Sequence, residues 1–199
     1  MNKHNLPSTR LASQLLVICA VCLLVSFAMA SRFWLLDWPN FKPVGAVAIF
    51  LGYWMRRLDV SALAVVIIMF VSDFWIGFYD IRLMLAVYGS MVLACAIGFV
   101  AKPQLDSSES LLSESLKIVA ASLIAAIAFF FVTNSAVWLL GNGYAPNLSG
   151  WIAALIAGIP FFKFTVCGNA LFTLLLFSTY RLIESSRFAS SKKVASAAK

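Results

Sequence analysis

The sequence predicts an all-α protein, a polytopic transmembrane helical bundle of about six spans whose last stretch is broken near Pro160. Three observations carry that prediction. The chain has 199 residues, of which 62% are hydrophobic and 12% charged, with a mean hydropathy of +0.94; soluble domains are about half apolar and a quarter charged. The apolar residues fall in blocks, and roughly 20 apolar helical residues cross a hydrocarbon core of about 30 Å. The basic residues collect at block ends on one side, as the positive-inside rule requires. A soluble domain of this composition could not cover itself with polar surface, which excludes a soluble enzyme, a nucleic-acid-binding domain and a disordered chain. The net charge of +7 therefore belongs to topology and anionic headgroups, not to nucleic acid.

Residues 1–184 read as one bundle. The first span, 11–31, ends in Ala28-Met29-Ala30 followed by Ser31, which has the form of a signal-peptide cleavage site. The run is long enough to cross, and polytopic chains are usually inserted by a retained first helix, so it is read as retained. The second span, 44–55, is short and is started by Pro43, whose fixed φ suits a first helical turn. Spans three to five are 60–78, 83–101 and 116–140. The stretch 151–183 is too long for one straight crossing and contains Pro160, so it is either a kinked helix or a half-helix followed by a full one. A hydrophilic inner loop, 102–117, separates spans four and five. Residues 185–199 are Ser/Ala-rich and basic, and read as a mobile cytoplasmic tail near the headgroups.

Alternating sides places eleven of the fifteen Lys and Arg inside, three (Arg32, Lys42, Arg82) outside, and Lys163 at membrane depth. Six spans with both termini cytoplasmic in a bacterial inner membrane follow. Cys19, Cys22, Cys95 and Cys167 lie in apolar runs, and with His4 the one histidine they read as packing residues, with neither metal nor cofactor expected. Small residues recur every four positions at Cys22/Ser26/Ala30, Ser90/Ala94/Gly98, Ala121/Ala125 and Ala154/Gly158. Such ridges let helix backbones approach in lipid, within the bundle or against a partner subunit.

Polar residues inside apolar spans are costly and mark candidate sites. Four clusters sit toward the outer ends. The first is Asp37 to Ala46, where the prolines stop a helix and Asn40 either caps the next one or meets a ligand; free amides at that helix start favour an anion. The second is Ser72 to Arg82. Asp73 is the deepest acid and needs a cation, donors or a proton, Trp75 and Tyr79 are one turn apart, and Asp80 makes a rim pair with Arg82 or Lys42. The third is Asn134 with Trp138, on one helix face, beside the uncharged loop 141–147. The fourth is Gly158 to Lys163 with Asn169. Lys163 either pairs with Asp73 or holds a ligand anion.

The blocks Asn40-Phe41-Lys42-Pro43-Val44-Gly45-Ala46, Ser72-Asp73-Phe74-Trp75-Ile76-Gly77-Phe78, Thr133-Asn134-Ser135-Ala136-Val137-Trp138 and Gly158-Ile159-Pro160-Phe161-Phe162 resemble an uncharacterised bacterial family of small integral membrane proteins. That family has no established activity to transfer. The layout also resembles, at the level of architecture, the S components of energy-coupling-factor vitamin transporters. This resemblance implies a vitamin bound near the outer face, with a coupling membrane subunit and ATPases as partners; Cys22, Ser26 and Ala30 match the docking ridge of S components only loosely.

Two functions are expected. The first is a substrate-binding membrane subunit or small permease for a vitamin-like solute, with an outward-facing pocket. Asp73, Asn134, Trp138 and Lys163 are its main contacts, and Asn40, Trp75 and Asn169 lie nearby. The second is a structural or assembly protein without a small ligand, held by an Asp73–Lys163 pair in a dry core. No nucleophile–base pair, HExxH or nucleotide loop is present, so no catalysis is expected and any transport needs a gradient or a partner.

Overall fold

The computed structural model describes residues 7–34, 40–55, 57–105, 111–141 and 143–197, with side chains except at 7–18, 20, 21, 102–105, 111, 112 and 182–197. Six helices follow in order: α1 Pro7–Trp34, α2 Val44–Met55, α3 Leu58–Ile76, α4 Ile81–Leu105, α5 Leu111–Leu140 and α6 Leu148–Ala197. Among the described residues there is no strand. Leu58–Ile76, Ile81–Ala101, Ser113–Leu140 and Leu148–Arg181 are long and apolar enough to cross a membrane, and Cys22–Trp34 and Val44–Met55 are shorter apolar helices. The protein is a helical membrane protein.

The short helix α2 is the centre of the bundle. It lies against each of the other five helices, and every residue from Val44 to Tyr53 is buried. A helix that is apolar all round finds its place in a core. At 1.5 Å per residue its 12 residues span about 18 Å, well short of the roughly 30 Å hydrocarbon core. One end of α2 is therefore sunk inside the bundle. Glycines permit the closest packing: a Cβ on Gly52 would stand 2.0 Å from the Cys95 carbonyl oxygen of α4, and one on Gly98 would stand 1.9 Å from that of Ile49 on α2. The Ser90/Ala94/Gly98 ridge thus serves packing within the bundle.

Local chemistry sets most boundaries. Gly77, at φ 119°, ends α3 and donates its N–H to the Asp73 carbonyl at 2.8 Å, so α3 stops two residues earlier than expected. Asp80 caps α4, accepting the Arg82 N–H at 2.8 Å. Asn147 caps α6, accepting the Gly150 N–H at 2.9 Å. Far from the α2 start, Phe50, Tyr53, Trp54, Phe177 and Tyr180 form an aromatic cluster with centroids 4.8 to 6.1 Å apart. Beside it Arg181 of α6 grips Glu114 of α5, its Nε 3.0 Å from Oε2.

Three expectations about boundaries are corrected. Of the two forms expected for 151–183, the half-helix followed by a full one is absent: α6 is one helix from Leu148 to Ala197 with Pro160 inside it. Proline removes one ladder bond, a loss that spanning helices tolerate. Residues 185–197, expected as a separate tail, continue α6; no Gly or Pro follows Gly168 to stop it. The inner loop expected at 102–117 is also largely helical, since α4 runs to Leu105 and α5 starts at Leu111. Asp37, Asp106 and the extreme termini lie outside the described residues.

Candidate functional site

A cavity of about 230 Å³ opens at the sunken start of α2. The segment before α2 supplies Asn40 and Lys42, and α2 itself supplies Val44 and Gly45. Arg32 comes from α1 and Tyr79 from the α3–α4 connection. Met91 of α4 and Phe129 of α5 make apolar wall, and α6 adds Thr165 and Asn169. Asn40 adopts φ 61°, the left-handed region in which asparagine is over-represented, and this turns the chain into α2. Phe41 packs on Phe172 of α6, with centroids 5.6 Å apart. At Gly168 the α6 backbone comes close enough that a Cβ would meet the Lys42 backbone nitrogen at 3.4 Å. The Lys42 main chain thus packs on α6, and the residue borders the cavity.

Electrostatics differ between the two cations. Arg32 is buried and fully engaged: its Nη2 donates to Asp73 Oδ1 at 2.6 Å, and its Nη1 to Ser72 Oγ and to the Met69 carbonyl, the latter at 3.2 Å. The Tyr88 hydroxyl donates to the other Asp73 oxygen at 2.7 Å. Asp73, 1% exposed, is therefore satisfied from within, behind the Arg32 that borders the cavity. Lys42 makes no ion pair among the described residues. Burial first, and then the Arg32 guanidinium, pull its ammonium below the ordinary lysine range, with Asp73 opposing. Burial and Asp73 raise the Tyr79 phenol. At the rim, hydrogen bonds from Arg82 hold Asp80 down to about 2.

A second cavity of about 210 Å³ adjoins the first, sharing Asn40, Val87, Phe129 and Thr165 with it and adding Asn134 and Gly158. Asn134 bonds back to the Phe130 carbonyl at 2.7 Å. Its Oδ1 lies 2.5 Å from where a Gly158 Cβ would be, so the glycine makes room for it.

Of the seven candidate residues, Asn40, Asn134 and Asn169 line these cavities. Asp73 is one layer behind. Trp75 is 72% exposed and faces away; α3 ends before Tyr79, so the two do not share a face. The Trp138 indole donates to the Ala145 carbonyl at 2.9 Å and pins the α5–α6 loop rather than the site. Lys163 is exposed beside Phe164. The expected Asp73–Lys163 pair is absent, and Arg32 takes that place. Arg32, Lys42, Tyr79 and Thr165 were not among the candidates. The usable signal was position: Arg32 and Asp73 both lie within a turn of the C-terminal ends of their helices.

These spans around an internal polar cavity define the class, a multi-pass helical membrane protein. Residues 12–193 match DUF6580, a family of unknown function, and the chain belongs to that family. No curated protein and no solved structure matches it.

Proposed function

We propose that the chain is a non-enzymatic substrate-binding membrane subunit or small permease for a vitamin-like small solute, set in the bacterial inner membrane with both termini cytoplasmic and the cavity open to the outside. The observation that carries this reading is the cavity at the start of α2, where a lysine without an ion pair among the described residues, two asparagines, a threonine and a tyrosine face apolar wall from Met91 and Phe129. Ligand sites have that mixture of apolar wall and few polar groups. A helix starting inside the membrane beside a cavity is also a device of transporters. The aromatic cluster around Phe177 and the Glu114–Arg181 pair close the opposite end, as a one-sided pocket requires. Energy would come from a gradient, or from a coupling membrane subunit with ATPases in the manner of S components.

The test is untargeted mass spectrometry of small molecules co-purifying with the detergent-solubilised protein, beside a folded Asn169→Ala variant. A metabolite enriched on the wild type and depleted on the variant supports the reading. The second reading, a structural or assembly protein, draws on the closed Arg32–Asp73–Tyr88 network, which holds three helices together without any ligand. It is favoured if no metabolite is enriched.

A further inference from the structure

We infer that the solute is a monocarboxylate, its carboxylate seated between the Lys42 ammonium, the first-turn amides of α2 and the Asn169 carboxamide. This rests on the reading of the cavity as a solute site and names the ligand class of that site.

The first intrahelical bond of α2 runs from Val47 N–H to the Pro43 carbonyl at 2.8 Å. The amides of Val44, Gly45 and Ala46 precede that ladder, and all three residues are buried. Buried helix starts need acceptors. α4 and α6 find theirs in Asp80 and Asn147, whereas no described side chain caps α2. Its positive end instead faces the cavity, where an anion is the natural acceptor.

Asn169 points independently to a ligand. It is 7% exposed, borders the cavity, and makes no hydrogen bond among the described residues. Its Oδ1 lies 2.5 Å from where a Gly45 Cβ would stand, so the carboxamide rests against the first turn of α2 because residue 45 is glycine. An amide held in a buried setting with its polar atoms turned to the cavity is free to hydrogen-bond a bound polar group. Lys42 adds the charge. Among the described residues Arg32 and Lys42 are positive and Asp73 is negative, which leaves one positive charge at the cavity (two minus one). One carboxylate balances it; a phosphate dianion would exceed it. The remaining wall, Met91 and Phe129, suits an apolar body. The volume of about 230 Å³, with the second cavity beside it, gives room for the body of a small acid.

The test uses the full-length protein in phosphatidylcholine nanodiscs and calorimetric titration with benzoate and hexanoate, against benzamide, hexanamide and inorganic phosphate. The acids are expected to bind at least about tenfold more tightly than the amides, the margin of a charge-assisted hydrogen bond, and more tightly than phosphate. Lys42→Met should remove that margin, Lys42→Arg should keep most of it, and Asn169→Ala should weaken the acids severalfold, each variant first shown to be folded by circular dichroism and gel filtration. If Lys42→Met does not fold, the acid–amide comparison on the wild type and the Lys42→Arg variant still decide. Amides binding as well as acids, acid binding indifferent to Lys42→Met, or a co-purifying solute without a carboxylate would overturn the assignment while leaving the cavity as a solute site. Loss of benzoate binding in phosphatidylserine nanodiscs would hand the site to a lipid headgroup and overturn it too. No probe bound and no metabolite enriched would sink both readings.

Discussion

At the scale of single residues, the interior charge is arranged as one closed pair and one open cation. Arg32 and Asp73 satisfy each other, so removing either alone strands a buried charge. Arg32→Met or Asp73→Leu alone should cost about 3–5 kcal/mol, while the double substitution should recover much of that loss; unfolding in an SDS titration measures all three. A double variant no better than the singles would mean that the pair does not act as a unit. Lys42 gives a pH prediction. Its folded-state pKa lies below the ordinary 10.5, with Arg32 and Tyr79 facing the same cavity and Asp73 one layer behind Arg32. Affinity for a carboxylate should be flat through neutral pH. It should fall as pH rises through the lowered lysine value, because the ammonium is the form that binds. Titrating benzoate binding from pH 7 to about 10 checks this, and Lys42→Arg should stay flat. The asparagines of the site were legible as polar groups in apolar runs. The partner of Asp73 was not, because Arg32 lies 41 residues away on α1 and the sequence does not mark α1 and α3 as neighbours.

At the scale of elements, α2 and α4 touch through backbone rather than side chains. Gly52→Ala and Gly98→Ala would drive a Cβ into a carbonyl oxygen, and overpacking of this kind costs about 1–3 kcal/mol or more. Gly89→Ala, on the same helix with nothing within 4 Å, should be neutral or stabilising by up to about 1 kcal/mol. Thermal melts in detergent would separate the three, and equal melts would refute the close crossing. Four-residue spacing exposed the Gly98 ridge in the sequence; its counterpart on α2, Ala48 and Gly52, has the same spacing and was passed over. The bounds of α2 were legible from Pro43 and the short apolar run after it, whereas the boundaries set by Gly77 and Asn147 were placed two and three residues away. Pro160 misled, because a proline in a spanning helix removes one bond without ending the helix.

At the scale of the whole molecule, six helices put Asp59 and Asp80, at opposite ends of α3, on opposite sides of the membrane. In a variant with the four cysteines replaced, Asp80→Cys should react with an impermeant maleimide on intact cells, and Asp59→Cys only in inverted vesicles. The reverse pattern would turn the cavity toward the cytoplasm. The bundle itself was legible from composition and basic-residue placement, since those reflect the bilayer as solvent. The cavity was not, because it depends on which helices are neighbours. The central position of α2 also bears on how the protein is made. Twelve residues are too few to be recognised and inserted as an independent span. Only Arg56 and Arg57 separate α2 from α3, so the two must enter the bilayer together as a hairpin. The helices that enclose most of α2, α4 to α6, emerge from the ribosome later. The core of this protein is thus made early and packed last, and the nascent chain carries an unsheltered centre until its final helix arrives.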